Sequence, residues 1–422
     1  GGPWPLQYRS PGGGDNLFLS SIVALKADTG DYVWHYQTVP GDEWDYTATQ
    51  SMILADLNID GRERKVLMQA PKNGYFYVID RATGELISAN NFVPVSWTTG
   101  IDMETGRPNV NPEARYGPVP VILTPGPGGG HNWNPMAYSP KTGLAYFPVT
   151  EMYMAYSLNP DFQQTPGMMS QLGISTTGYD LSRAAAAEYA AKHNKAWLTA
   201  WDPVSQTERW RVPYPVRGSG GILVTAGNIV FQGTVRGTLA AYAADTGDLL
   251  WEMPVQQVPI AAPISYTVDG EQYIAVNAGW GGVLAHSTSV KSLGFPLSPS
   301  PRLLVFKLGG SASLPAVAGA GNALVRPEET GASAEVIARG EQLFAQHCST
   351  CHGERALGGI KDLRLMSPET RSEFYDIVLH GARREKGMAS FGDVLSQEDA
   401  EAIYAYLVHR SNEDWDSIAA DK

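Results

Sequence analysis

Cysteine is nearly absent from this chain: two residues in 422, Cys348 and Cys351. That excludes a disulfide framework, because a bridge across a Cys-x-x-Cys loop constrains almost nothing in the unfolded state. No second cysteine pair completes a zinc site, and the flanks lack the βαβ context of a thioredoxin-like motif. Long apolar runs are missing too; no stretch reaches the roughly 18 residues that a membrane-crossing helix needs. Basic clusters are lacking, and 31 Lys and Arg against 43 Asp and Glu leave a net charge of −12. No nucleic-acid partner is expected from that balance. The start, GGPWPLQYRSPGGGDN, has neither an initiator Met nor a charged segment leading into an apolar one. A processed or truncated chain is the expectation.

What is plentiful is glycine (45), proline (29), tyrosine (20) and tryptophan (11), a bias toward turns and aromatic-rich strands. The chain is too long for one ordinary core. A short pattern recurs along it. ALKADTGDYVWHYQ (24–37) and AYAADTGDLLWEMP (241–254) share Asp-Thr-Gly with a Trp five residues beyond the Thr, and weaker copies stand at 78–89, 137–148 and 200–213. Each reads as strand, turn, strand, at spacings of about 40 to 60 residues, the period of propeller blades. Lys72-Asn73-Gly74 is the turn of a hairpin. Trp34, Trp210 and Trp251 are expected to brace one blade against the next. Five copies are few for a ring, so part of a larger propeller is expected to be missing. SRAAAAEYAAKHNKAWL (182–198) predicts a helix between blades from its alanine content, with His193 exposed on it.

From Gly309 the composition turns small and polar, which predicts a linker over 309–333 between an all-β unit (1–308) and an all-α unit (334–422, including a C-terminal tail). Val336, Gly340, Leu343, Phe344 and His347 fall near one face of a first helix. Ser367 followed by Pro368 caps a second, and Ser396 with Asp399 caps a third. The third helix carries Ile403, Tyr404 and Leu407 at contact spacing for the first. Between first and second helix lies Cys348-Ser-Thr-Cys351-His352. Cys-x-x-Cys-His attaches haem covalently: two thioethers hold the porphyrin and the histidine takes one axial site of the iron. The layout is that of a small cytochrome c. Candidates for the sixth ligand are Met366, Met388, His380 and His409; Met388 in KGMASFGDV is preferred, because a loop Met can be aimed at iron.

A haem carries single electrons, so something upstream must supply them. Residues 1–308 resemble the second half of a pyrroloquinoline quinone (PQQ)-dependent alcohol dehydrogenase propeller of the eight-bladed type, and the fused cytochrome resembles the quinohaemoprotein members. RSPGGGDNLFLSSIVAL, HYQTVPGDEWDYTATQ, VLMQAPKNGYFYVIDR, GGHNWNPMAYSPKTGLAYFP and NAGWGG carry the likeness. The resemblance implies that Asp45, in EWDYTATQ, is calcium ligand and general base, with Asp15 and Asp42 as neighbouring alternatives. Of these, Asp15 reads as a turn residue. It implies that Lys72 contacts the quinone oxygens, that Asn132 and Trp133 touch the quinone edge, and that His131 is packing. Trp280 and Val283, around GWGGV, resemble a last loop facing the cofactor.

The same resemblance implies, earlier in such chains, a glutamate, an asparagine, a vicinal disulfide and a stacking tryptophan that complete the pocket. The expected partner is therefore a missing N-terminal half of the propeller. The implied activity is oxidation of a small primary or secondary alcohol with PQQ, calcium and one covalent haem c, electrons leaving to a soluble carrier or a membrane quinone pathway. A related dehydrogenase for polymeric or cyclic alcohols, and a non-catalytic propeller carrying a relay cytochrome, are the competing readings. Covalent haem attachment and disulfide-bearing relatives imply the periplasm.

Overall fold

In the computed structural model, residues 5–9, 12–158, 192–279, 301–315, 326–352, 356 and 361–420 are described. They fall into two compact units, sheets up to Leu314 and helices from residue 326 onward. Val283 and Trp280 lie outside the described residues, as does most of the predicted 182–198 helix. Its last four residues are instead the start of the strand Lys195–Asp202, paired along Leu144–Glu151. There the run Ala-Trp-Leu-Thr-Ala-Trp fits a pleated, doubly buried surface, and tertiary pairing overrides the local helix preference of alanine.

The β unit is a succession of antiparallel meanders. Sheet 1 pairs Ser21–Leu25 with Tyr32–Gln37. Sheet 2 runs Ile53–Ile59, Arg62–Gln69, Tyr75–Asp80, Leu86–Asn91. Sheet 3 runs Ala137–Ser139, Leu144–Glu151, Lys195–Asp202, Thr207–Tyr214, and sheet 4 runs Ile222–Thr225, Ile229–Gly233, Thr238–Ala243, Leu249–Pro254. Sheet 5 has three strands, Ile264–Val268, Glu271–Ala278 and Arg302–Lys307. Two short ribbons, Thr98–Ile101 with Pro108–Val110 and Val121–Leu123 with Met154–Tyr156, sit beside them.

The period-2 alternation of strands decides which core each side chain enters. Tyr75, Tyr77 and Ile79 of sheet 2 join Trp34 and Tyr36 of sheet 1, whereas Phe76 and Val78 join Phe147, Val149, Trp197 and Trp201 of sheet 3. Tyr146 and Leu198 of sheet 3 then meet Ile222, Val230 and Tyr242 of sheet 4, and Leu239 of sheet 4 meets Val276 and Leu304 of sheet 5. An apolar layer between each sheet and the next, with both faces of the middle sheets buried, is the packing of a propeller.

The repeated tryptophans explain the repeated turns. Trp34, on the last strand of sheet 1, lies over Gly84 in the Thr-Gly turn of sheet 2 and donates its indole N–H to the Arg81 carbonyl at 3.3 Å. Trp210 of sheet 3 does the same to Gly247 of sheet 4, donating to the Ala244 carbonyl at 3.1 Å. A Cβ at either glycine would stand 2.7 Å from the indole, and both glycines have positive φ, 80° and 78°. Only glycine meets both demands. Trp251 differs: it is 40% exposed and meets Phe306 of sheet 5 edge-on.

In the helical unit, α1 (Ala334–His347) is capped by Ser333, and α2 (Ser349–His352) follows at once. Two short helices, α3 (Pro368–Ser372) and α4 (Phe374–Val378), lead to α5 (Gln397–Ala420). The Ser367 hydroxyl accepts the Thr370 amide at 3.2 Å. Ser396 and Asp399 exchange amide-to-side-chain bonds at 3.1 and 3.0 Å, the expected capping box. Of the predicted face of α1, Gly340 and Phe344 are buried while Val336 is exposed. At the α1–α5 contact, Ile403 and Leu407 are buried in one cluster with Phe344, as expected. A Cβ on Gly340 would lie 1.9 Å from the Ala402 carbonyl oxygen and 3.0 Å from Tyr406, and Phe344 packs on the Tyr406 ring. Tyr404 turns instead to Phe374 and Tyr375.

Candidate functional site

Leaving sheet 1, the chain enters a loop of buried residues that Asp42 organises. Its Oδ1 accepts the amides of Trp44 at 3.0 Å and Tyr46 at 3.2 Å, and its Oδ2 accepts the Ser20 hydroxyl at 3.1 Å. Trp44 and Tyr46 are both fully buried, and both pack on Trp97. The Trp44 indole donates to the Ala114 carbonyl at 3.0 Å, the Arg115 guanidinium covers its ring at 4.5 Å, and the Tyr46 hydroxyl donates to the Pro125 carbonyl. Asp45 stands between these anchored aromatics with φ +68°. A left-handed aspartate is a strained position that persists where its neighbours are over-determined.

That backbone presents the Asp45 carboxylate to Lys72. The ammonium donates to Oδ2 at 2.9 Å, with only 11% and 19% of the two side chains exposed. The other oxygen, Oδ1, is buried with no hydrogen-bond partner. Burial pushes the Asp45 carboxyl above its usual value, and the adjacent Lys72 charge opposes that push without cancelling it.

Lys72 itself is set by the turn between the second and third strands of sheet 2 and by a glycine run from the next loop. The Gly130 amide donates to the Lys72 carbonyl at 2.9 Å. Gly129, at φ +78°, lies so close that a Cβ there would be 2.5 Å from the Lys72 side chain. Asn132 is held by its own loop: its amide donates to the Gly128 carbonyl at 2.7 Å and its Oδ1 accepts the Trp133 amide at 2.8 Å. Trp133 is 40% exposed. His131 is buried, its ring nitrogens 2.7 Å from the Ala70 carbonyl and 2.8 Å from the Asn134 carbonyl, and burial lowers its pKa. It knits the glycine run to the Lys72 turn.

The structure thus brings Asp45, Lys72, Gly129 and Gly130 together, while the hydrogen bonds of Asn132 and the Trp133 amide stay within their own loop. Asp15 is more than a turn residue, since its carboxylate pairs with Arg107 at 2.9 Å across 92 residues. Gly129 and the organising role of Asp42 went unforeseen; the Gly-Gly-Gly run at 128–130 was the available signal for the former.

In the helical unit Cys348 ends α1, buried, and Cys351 on α2 is half-buried; both are free thiols. Burial, with the neighbouring Cys351, pushes the Cys348 thiol up to about 12. His352 is buried, and its Nδ1 lies 3.1 Å from the Lys361 carbonyl oxygen. Of the four sixth-ligand candidates, Met388 and Met366 belong to the apolar cluster that contains Cys348, whereas His380 and His409 are exposed.

The chain thus joins a propeller unit, with a carboxylate–ammonium pair in a buried loop, to a helical unit of cytochrome c type bearing Cys-x-x-Cys-His. The comparisons agree. The profile of the glucose/ethanol/alcohol dehydrogenase β-propeller domain matches residues 7–108 and 190–274, and that of the cbb3-type cytochrome c oxidase subunit III matches 335–407. The chain is 47% identical to quinohemoprotein alcohol dehydrogenase ADH IIB of Pseudomonas putida over 98% of its length and 59% of that protein's. It is 41% identical to the 1-butanol dehydrogenase (cytochrome c) of Thauera butanivorans, over 96% of this chain and 58% of that one. The structure of the quinohemoprotein alcohol dehydrogenase ADHIIG from Pseudomonas putida HK5 superposes with TM-score 0.88 at 46% identity, covering 98% of this chain and 61% of the other. This chain belongs to the quinohaemoprotein alcohol dehydrogenases, and it spans about three-fifths of the length of these relatives.

The cofactors of that membership are PQQ, calcium and haem c, and the residues present fit them. The bare, buried Oδ1 of Asp45 is a hard oxygen donor of the kind calcium takes. Two free thiols three residues apart, with a buried imidazole next to them, suit covalent haem. Among the described residues no cluster of three or more His, Cys, Asp or Glu holds a metal by itself. No described helix is long and apolar enough to cross a membrane.

Proposed function

We propose that the whole enzyme oxidises a small alcohol to the aldehyde or ketone at the Asp45–Lys72 pair, and that its two electrons leave singly through the helical unit. The observation that supports this most is the pair itself: a carboxylate with one oxygen on a buried ammonium and the other buried without a partner. A scaffold gains nothing from an orphaned carboxylate oxygen, which costs about 1–3 kcal/mol of desolvation.

The alcohol loses two electrons and two protons. When bound, the quinone supplies the two-electron acceptor and the haem a one-electron exit. Asp45 is the base for the hydroxyl proton, and burial raises its proton affinity against the opposing charge of Lys72. Oδ1 would hold calcium. Lys72 has two roles: it fixes Oδ2 now, and its ammonium would donate to quinone oxygens on which charge develops. Asn132 and Trp133 would bound the cofactor's edge, and Val283, outside the described residues, is assigned to the cofactor by the family likeness alone. His352 and Met388 would be the axial ligands and Cys348 and Cys351 the thioether anchors. The domain limits 1–308, 309–333 and 334–422 belong to this reading. So does completion of the site by a further propeller half, corresponding to the part of the relatives that this chain does not span. The proposed acceptor is a soluble carrier or a membrane quinone pathway, and the proposed location is the periplasm.

Asp45→Asn in the whole enzyme tests it. Dye-linked alcohol oxidation should fall by at least about 100-fold, the lower range for losing a general base, while the haem spectrum stays unchanged. Unaltered turnover would leave a scaffold with a relay cytochrome.

A further inference from the structure

His352 gives its Nδ1 to a backbone carbonyl, that of Lys361, at 3.1 Å. With Nδ1 so placed, Nε2 is the nitrogen the iron would take. A metal-bound imidazole becomes a stronger donor as its other N–H is more tightly held, so the position of this carbonyl bears on the metal. Yet among the described residues between Lys361 and Ser367 the one regular element is the single turn Leu363–Leu365. What holds it is a set of charges at its back.

Asp362, the next residue, grips Arg364 with both oxygens: Oδ1 accepts Nε at 3.0 Å and Oδ2 accepts Nη2 at 2.6 Å. The remaining arm of the fork, Nη1, donates to Asp414 Oδ2 on α5 at 2.8 Å. Arg410, 3% exposed, donates to the same Oδ2 at 2.7 Å and also pairs with Glu413. The segment's carbonyls are tied as well: that of Arg364 accepts the Ser411 hydroxyl at 3.1 Å and Arg371 Nη2 at 3.3 Å, and that of Met366 accepts Arg371 Nε at 3.2 Å. A planar guanidinium with its three nitrogens on two carboxylates fixes an angle as well as a distance, which a lysine cannot do.

We propose that the Asp362–Arg364–Asp414 triad is a positioning device for the axial imidazole: by clamping the Lys361 segment to α5 it sets the strength of the His352 hydrogen bond, and through it the reduction potential of the haem iron. This rests on the reading of Cys348, Cys351 and His352 as a haem attachment site. A loosened carbonyl leaves the imidazole a weaker donor, which disfavours ferric iron and raises the potential.

The test is redox titration of the full chain carrying covalent haem. Arg364→Lys keeps the charge and breaks the fork. It should shift the ferric/ferrous ratio at fixed potential on the order of tenfold toward ferrous, which is about 59 mV for a one-electron couple. Asp414→Asn alters the charge but keeps an acceptor oxygen for Arg364 and Arg410, and should stay within about twofold of the parent. A plain charge effect predicts the reverse ordering, and that ordering overturns the proposal. If Arg364→Lys does not fold, Arg371→Lys reads the same quantity, since it loosens the carbonyls of Arg364 and Met366 at constant charge. An unmoved potential in that variant also overturns it. Absence of covalent haem from the parent chain would instead remove the haem reading on which the proposal rests.

Discussion

The Asp45–Lys72 pair makes a quantitative prediction about stability that does not depend on turnover. At 2.9 Å, two unit charges attract by about 6 kcal/mol if the effective dielectric is about 20. Desolvation of each group lowers the net stability of the pair but cancels in a double-variant cycle, so the coupling should be about 2–6 kcal/mol, inside the span of about 1.5–7 kcal/mol for close pairs. The cycle needs Asp45→Asn, Lys72→Met and the double variant, unfolded in urea and followed by tryptophan fluorescence. Trp44 and Trp97 sit in the cluster beside the pair and report its loss. Lys72→Met should be the most damaging single change, because it strands a carboxylate whose Oδ1 already lacks a partner. Calcium should then recover part of the loss, since a cation that binds only the folded state stabilises it by mass action. Single-variant effects that add to within about 0.5 kcal/mol would refute the reasoning, because the two charges would then be acting independently.

Two further outcomes concern the helical unit. Met388→Ala should lower the reduction potential by removing the thioether, while His380→Ala and His409→Ala, both at exposed positions, leave it unchanged by redox titration. The Asp414 carboxyl is raised by burial, but the hydrogen bonds and charges of Arg364 and Arg410 outweigh that and hold it below its usual value. A depressed folded-state pKa means stability that is present above the unfolded value, about 3.9, and lost as pH falls through the folded one. The stability gap between the parent and Asp414→Asn should therefore be full at pH 7 and close in acid, by denaturant titration at a series of pH values; a gap that widens in acid contradicts the sign.

Local rules were readable in the chain. The Ser396–Asp399 and Ser367–Pro368 caps involve residues one to three apart, so spacing alone specifies them. The Thr-Gly turns stood out as a repeat, and two of them, at Gly84 and Gly247, offer a glycine and a carbonyl to the indole of the preceding sheet. What needed three dimensions was the long-range polar wiring. Arg364 meets Asp414 across 50 residues and Asp15 meets Arg107 across 92, and nothing in composition or period marks such pairs. The closing helix was legible in part: Ile403 and Leu407 share a buried cluster with Phe344, whereas the tight approach of small Ala402 under Gly340 leaves no mark in an apolar pattern. Asp45 and Lys72 are unremarkable as sequence. Their candidacy came from the family likeness, and the pair at 2.9 Å with its orphaned oxygen supplies the physical reason to take it seriously.

The central claim is that a proton leaves at Asp45 and electrons leave at the haem in one sequence of events. Stopped-flow mixing of the oxidised, PQQ- and calcium-loaded whole enzyme with alcohol measures it. The account predicts that the haem turns ferrous after mixing in the parent and stays ferric in Asp45→Asn, although dithionite reduces both. Equal haem reduction by alcohol in the two proteins would contradict it.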